Sequence, residues 1–530
     1  MRDPLLDRNV DEAVRIRILL SHAITRLGTQ AWLFCTPLFL LSFTPGRLLG
    51  PSLFGLCTYC ANLLLGPRLG SWADRADRLT VVRCGTFMQA SAVLGNTVLI
   101  FATPLFVEET DNNMVLSAVG IACCCGVLEK LGASLTDVPV KRDWGPTLLW
   151  HNSELLRATN TLMSQIDLTT EVVGPFLAGM VISLCALREW SPSSHVPSQN
   201  VGYVLVGLAN MISFLPQYLL LRSVYFLREE IMGRKSADVT KEKPKGSWRV
   251  WFHHPAGVQL LGLSYAVLYL TVMSPHGPLL TAYLSDAGLS ASQLSALRGA
   301  GALAGVAGVT VQPLCFGACG EKGSNLLAVS TLGVSGLAAA ASFALSGAVL
   351  LLVPPQIERS GEWVPWAGVH DDHRVLFLYG FAFFVVLARP GLYAFELGVL
   401  NQEQELVDEK CRSGIGAVDN ALTSAATLIM YIAGTVLNDT SYFGWLVNAS
   451  AACLLAGVVL YSLWCMLFHS HKHRHVAEID DHGHSHDGHI HVHHHAHTTQ
   501  AQRMLDEEGW HVHVHFNPVW RRGFSASANN

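Results

Sequence analysis

The sequence predicts an all-α, polytopic membrane protein of about twelve transmembrane helices in two six-helix halves. Three observations lead there. Half of the residues are hydrophobic and only 14% are charged, where a soluble protein carries about a quarter. Apolar runs of spanning length, about 20 residues, recur from end to end. One basic, polar stretch near 223–253 divides those runs six and six.

Taken in order, the runs lie near 17–43, 47–67, 80–104, 113–136, 153–186 and 201–222, then 256–284, 292–316, 325–353, 374–398, 414–437 and 442–468. Met1–Val14 is polar, so the first span acts as its own insertion signal. Lys and Arg set the orientation. Arg2, Arg8, Arg15 and Arg17 precede span one, Arg75, Arg78 and Arg83 follow span two, and Lys141 and Arg142 follow span four. The central stretch and Lys410 with Arg412 fall on the same side, and the loops between are poor in basic residues. Both termini are then cytosolic. The expected organisation is a cytosolic segment 1–16, a first half 17–222, a flexible cytosolic linker 223–255, a second half 256–468 and a His-rich cytosolic tail 469–530.

Asp167 and Glu171 stand inside the fifth apolar run. Four residues apart, they share one helix face, one turn apart. Acids at membrane depth are costly and face a protein interior or a wet cavity, so this pair is a candidate site. The alternative is that they face headgroups or pair with Arg157 or Arg26. Pro175, Gly174 and Gly179 just beyond allow a kink and a close helix contact.

Sixteen of the 24 histidines fall in the tail. His482, His484, His486, His489, His491, His493, His494, His495 and His497 form its dense centre, with Asp, Gly and Ser interleaved; it reads as a loose multivalent metal-binding tract, and a tag-like or solubilising tract is the alternative. The thirteen cysteines lie mostly in apolar runs, where they read as packing residues, the Cys57/Cys60 pair included.

Gly70–Leu79 (GSWADRADRL) resembles the G-x-x-x-D-R-x-x-R motif of major-facilitator carriers, whose six-span halves rock about a midplane site. The resemblance implies a cytosolic gate at Asp74, Arg75 and Arg78. Asp143, in the Lys141–Trp144 block (KRDW), is a candidate partner, and Arg389 and Arg412 are candidates on the second half. Plain positive-inside charge is the alternative.

Several blocks together resemble the ferroportin family of metal exporters, solute carrier family 40. Gly28–Trp32 (GTQAW) matches its G-x-x-x-W block, and Lys141–Trp144 its Q-R-D-W, with lysine for the glutamine. Ser164–Asp167 (SQID) with Pro175 matches its R-R-I-D…P, and Tyr269–Val272 (YLTV) its Y-M-T-V. Ala388–Leu392 (ARPGL) matches its A-R-x-G-L, while Gln402–Glu405 and Arg412–Asn420 fit the segment into span eleven. The matches run in order from about residue 17 to 440 and leave out the tail. The resemblance implies export of ferrous iron, with Asp167, Asn210, Ser213 and Phe214 at the transport site. The family's span-one acid falls on Thr29 and its span-one histidine on Leu33. The family's span-seven cysteine falls near His276–Gly277 and its span-eleven histidine near Met430, so the animal pair of metal sites is not reproduced. Regulation by the peptide hormone that animal members bind through that cysteine is not expected, and the plant-like branch fits better.

Span seven adds a reading of its own. Ser274–Pro278 (SPHGP) cannot be unbroken helix, and it puts His276 at membrane depth. Carriers often build a substrate site from such a broken helix. The expectation is a secondary transporter and not an enzyme: no H-E-x-x-H, P-loop or G-x-S-x-G stands in a fitting context. It would export a divalent metal, ferrous iron first, with protons as a reasonable coupling ion. Its partners are the bilayer and the metal. No permanent cofactor and no nucleic acid are expected, and the plasma membrane and an internal membrane stay open. Two other readings stay open: a carrier for Co, Ni, Zn, Mn or an organic solute, and a metal-sensing membrane protein that transports nothing.

Overall fold

The computed structural model describes residues 4–43, 49–106, 112–149, 152–189, 197–233, 246–275, 279–280, 283–284, 289, 291–352, 371–436, 443–474, 482–486, 489–493 and 510–516. Long helices dominate. The first half contains α1 (Pro4–Phe43), α2 (Leu49–Ala73), α3 (Arg78–Phe106) and α4 (Asn112–Pro139). A π turn (Val140–Trp144) and short α5 (Gly145–Leu149) lead into α6 (Ser153–Leu187) and α7 (Ser198–Leu227). Short α8 (Glu229–Met232) and α9 (Ser247–Phe252) flank the central linker. The second half contains α10 (Val258–Ala266), α11 (Ala291–Leu352), α12 (Asp371–Leu406), α13 (Arg412–Val436) and α14 (Phe443–Leu467). Among the described residues, seven helices are long and apolar enough to cross a membrane. The chain is an all-α polytopic membrane protein of the two-half type that the hydropathy pattern predicts.

At 40 residues α1 is about 60 Å long, roughly twice a bilayer's hydrocarbon thickness. The polar residues before span one are helical because Val10, Val14 and Ile18 recur at one-turn spacing. That stripe packs with Trp144 and Leu148. Arg228 fastens the same end to buried Asp11 at 2.7 Å. Prolines inside α1, α2, α6, α7, α11 and α12 leave those helices continuous, as neighbouring helices allow in a membrane.

Span seven breaks earlier than its prolines predict. After α10 a 3-10 turn (Val267–Tyr269) ends at Leu270, and the chain runs on without helix to Pro275. Its freed backbone is tied from both sides. The N–H of Val272 donates to Ser450 Oγ at 2.9 Å, and the carbonyl of Met273 accepts from Arg389 at 3.1 Å. The expected spans eight and nine are both within α11, joined at Gly320 (φ 72, ψ 177), a conformation open in practice only to glycine. Gly308 and Ala328–Leu332 both meet Pro390–Gly391, so the two arms fold back side by side.

The end of the linker is not loose, as its composition predicts. The aromatics of SWRVWF fold α9 onto the second half and bury Trp251. In the tail, the H-x-H repeat has the strand's period of two. Four short strands form two antiparallel ladders, β1 (Phe468–Arg474) with β4 (Trp510–Phe516) and β2 (His482–His486) with β3 (His489–His493). Their register sets His471 opposite His513 and His484 opposite His491.

The α11–α12 contact is made by backbone rather than side chains. A Cβ at Gly308 would lie 2.2 Å from the carbonyl oxygen of Pro390, which cannot move aside. Gly308→Leu is therefore expected to cost about 1–3 kcal/mol or more and lower the thermal midpoint in detergent. Gly317→Ala, where a Cβ meets nothing within 4 Å, should not lower it.

Candidate functional site

The polar centre of the first half forms around Asp167 on α6. His22 and Arg26, one turn apart on α1, both reach one carboxylate oxygen: His22 Nε2 and Arg26 Nε each lie 2.8 Å from Oδ1. Lys141 Nζ lies 2.6 Å from Oδ2. Arg26 also faces Asp137 at 3.4 Å. The Asp167 side chain is 26% exposed. Of the sequence alternatives, Arg26 is its partner and Arg157 is not.

Asn210, Ser213 and Phe214 are buried on α7. They meet α1 at Gly28, where a Cβ would lie 2.6 Å from Asn210 Oδ1 and 2.9 Å from Ser213 Oγ. The Ser213 hydroxyl donates to the Asn210 carbonyl at 2.6 Å. Arg26 and Gly28 are two residues apart, about 200° around the helix. Asp167 and Asn210 therefore line different faces of α1 and do not converge, although the family pattern suggested that they stand opposite each other. Half-buried Thr29 lies on α1 between those faces.

Glu171, one turn beyond Asp167, has Arg389, Asp167, Glu396 and Arg26 as electrostatic neighbours. Tyr265, whose hydroxyl is 2.8 Å from that of Tyr269, is a neighbour of Glu396. Sequence reasoning passed over Glu396, although an acid inside the run LARPGLYAFELGVL gives the same signal as Asp167. His276, His494, His495 and His497 lie outside the described residues. His482, His484, His486, His489, His491 and His493 are placed only as strand backbone.

The end of the molecule that bears the 74–78 loop is closed by contacts between the halves. Asp74 caps α13, accepting from the N–H groups of Ser413 at 2.9 Å and Gly414 at 2.7 Å, where the helix dipole favours an anion. Gly70 permits the approach, since its Cβ would lie 2.4 Å from that of Ala417. Arg78 makes two 2.9 Å bonds to Asp143 in its own half and also pairs with Glu409 of the other. Arg142 pairs with Glu403 and, at 3.0 Å, with Asp419, which also accepts from Trp251 Nε1 at 3.1 Å. Arg157 bridges to Glu405 at 2.7 Å and Glu321 at 3.2 Å, with its guanidinium 3.7 Å from the Phe316 ring centre. Asn160 donates to Asn401 and Gln404, each at 2.7 Å.

Of the expected gate residues, Asp74, Arg78 and Asp143 are in this closure. Arg75 donates to Ser71 of its own helix, and Arg412 to the carbonyls of Val407 and Gln404 in its own half. Arg389 sits on the break in span seven, fifteen residues along α12 from Gln404. The missed partners are Glu403, Glu405, Glu409, Asp419 and Arg157. Glu403, Glu405 and Asp419 fall in blocks that resemble the family's segment into span eleven, but those blocks name no partner for them, and Glu409 lies outside both blocks.

The family model described as Ferroportin1 (FPN1) matches residues 12–454. A protein of Bdellovibrio bacteriovorus named ferreportin is 31% identical over 464 residues, covering 85% of this chain and 94% of that one. Solute carrier family 40 member 1 of Oryza sativa subsp. japonica is 25% identical, over 87% and 93%. Among solved structures, a bacterial homologue of the iron transporter ferroportin in its outward-facing state superposes with TM-score 0.71 at 30% identity, covering 85% of this chain and 99% of that one. The inward-facing state gives 0.57 at 29% identity, over 85% and 98%. The major-facilitator proton:xylose symporter XylE, 10% identical with TM-score 0.55 over 86% and 99%, shares the fold.

Arg142→Ala would leave Glu403 and Asp419, 3% and 1% exposed, without this cation. Breaking a buried pair costs about 3–5 kcal/mol, so the closed end should open. Cys411 reports it. Burial, with Asp74 and Asp408 adding, pushes that thiol up to about 12. In the closed protein its maleimide labelling should be slow and rise about tenfold per pH unit below that value. Labelling of Cys411 in the variant, read by peptide mass spectrometry, should be at least about tenfold faster. An unchanged rate removes Arg142 from the closure.

Proposed function

The chain belongs to the ferroportin family, and from that premise we propose that it exports a divalent metal ion, ferrous iron first, from the cytosol by alternating access. It is a multi-pass secondary transporter. One observation carries the reading: ion pairs and a cross-half helix cap shut one end, while the Asp167 side chain is not fully enclosed. The higher TM-score to the outward-facing homologue supports the same state. The basic loops at the shut end support placing it, with both termini, in the cytosol.

Asp167 supplies the charge that draws a divalent ion. Asn210 and Ser213, on a different face of α1 from Asp167 with Thr29 between the two faces, supply neutral oxygens at a second position, beside Phe214. Hard oxygen donors suit an ion that must be released again. Glu171, with Arg389 and Glu396 as neighbours, extends the path towards the second half, and His276 is a further candidate ligand from the broken span. The histidine tail holds metal loosely near the cytosolic mouth through many weak sites. The departures from the animal pattern at Thr29 and Leu33 support a plant-like over an animal-like placement.

The direct test is metal flux in proteoliposomes across a panel of divalent ions, with and without a pH gradient. Asp167→Ala should lower iron flux at least about tenfold, and unchanged flux sinks the proposed site. Deleting 475–530 should leave flux standing and lower the metal retained per chain. Loss of flux on that deletion would give the tail a direct part in transport.

A further inference from the structure

Asp167 is not waiting empty for metal. Both of its oxygens are taken, Oδ1 by the His22 ring and the Arg26 guanidinium and Oδ2 by the Lys141 ammonium. Of the three, Lys141 has unusual surroundings. It stands in the π turn, and its neighbours Arg142 and Asp143 go to Glu403 with Asp419 and to Arg78. The carbonyl of Lys141 accepts a 2.6 Å hydrogen bond from Gln404 Nε2 of the second half. Its side chain therefore holds the acid while its backbone is held by the closure. Arg26 shares its guanidinium between Asp167 and Asp137, whereas Lys141 brings a point charge on a flexible stem that can withdraw.

We propose that Lys141 is a tethered counter-cation that exchanges with the metal at Asp167 and is set in place by closure of the cytosolic end. This rests on the reading of Asp167 as a metal-binding acid. With the cytosolic end shut, Gln404 grips the turn and the ammonium sits on the carboxylate, so metal at Asp167 meets a competing charge and leaves outward. When the halves part at that end, the Gln404 contact is lost and the turn is released. Lys141 then yields the carboxylate to the incoming ion. The tethered ammonium fills the emptied site for the return, and no proton need bind Asp167 at that step.

Binding of cobalt(II), an ion of the same charge that resists oxidation, is measured by titration calorimetry on the purified full-length protein. Lys141→Gln should tighten binding at least about tenfold, because a unit charge in contact with the acid is gone. In flux assays it should lower KM and kcat together, as slow release requires. Lys141→Arg should not tighten binding. Asp167→Asn should weaken it, and Lys141→Gln on that background should add nothing. If Lys141→Gln binds like the wild type or more weakly while Asp167→Asn weakens binding, the tethered cation is wrong and the metal site stands. If Asp167→Asn binds like the wild type, the metal-site reading itself fails. Lys141→Met replaces the glutamine variant if the latter is not monodisperse, with the same outcomes.

Discussion

Three consecutive charges in one π turn, Lys141, Arg142 and Asp143, fasten three different parts of the molecule. Lys141 holds the acid of α6, Arg142 the two acids of the second half, and Asp143 the arginine that opens α3. On a regular α-helix three successive side chains point 100° apart. The wider turn re-aims them, as π segments do where function needs it. Most of the closed end depends on where this turn sits. Moving it separates partners on α3, α6, α12 and α13 together.

Charge burial explains why that closure is paired so completely. A carboxylate or guanidinium out of water costs several kcal/mol unless a partner meets it. Arg78, Asp143, Glu403 and Asp419 are all nearly inaccessible in the closed state, and each has an opposite charge in contact. Such pairs add little net stability over apolar packing. What they supply is a difference between states, since parting the halves must rehydrate every one of them. The glycines at the same contact act in the same sense. Gly70 and Gly414 bring backbone against the other half so closely that a methyl group on either would force the contact apart.

Much of the fold was legible because hydropathy and charge bias are local properties. The spans, their six-and-six division and the break in span seven needed no knowledge of neighbours. Asp74, Arg78 and Asp143 were legible through motif spacing. Partners were not. Arg142 meets Asp419 across 277 positions of sequence, and nothing local says that α13 will lie there. Arg389 misled for a related reason: one arginine among apolar residues looks the same at the end of a helix or at its middle. Asp167 was legible as a buried acid and Arg26 as a candidate partner, but His22 on α1 and Lys141 in the π turn carry no local signal that ties them to it. Two strand ladders in the tail went unpredicted, since an H-x-H run reads as composition before it reads as period two.

The cap on α13 has one more consequence. Its first turn is completed by Asp74, a residue of the other half. A helix that begins inside its own domain keeps its cap in every state, but this one keeps it only while the end is shut. On opening, two backbone donors and a carboxylate must all be taken up by water. Opening is therefore also a hydration reaction. The balance between the two states is tied to water activity, so solutes excluded from protein surfaces shift it towards the closed end without touching the metal path.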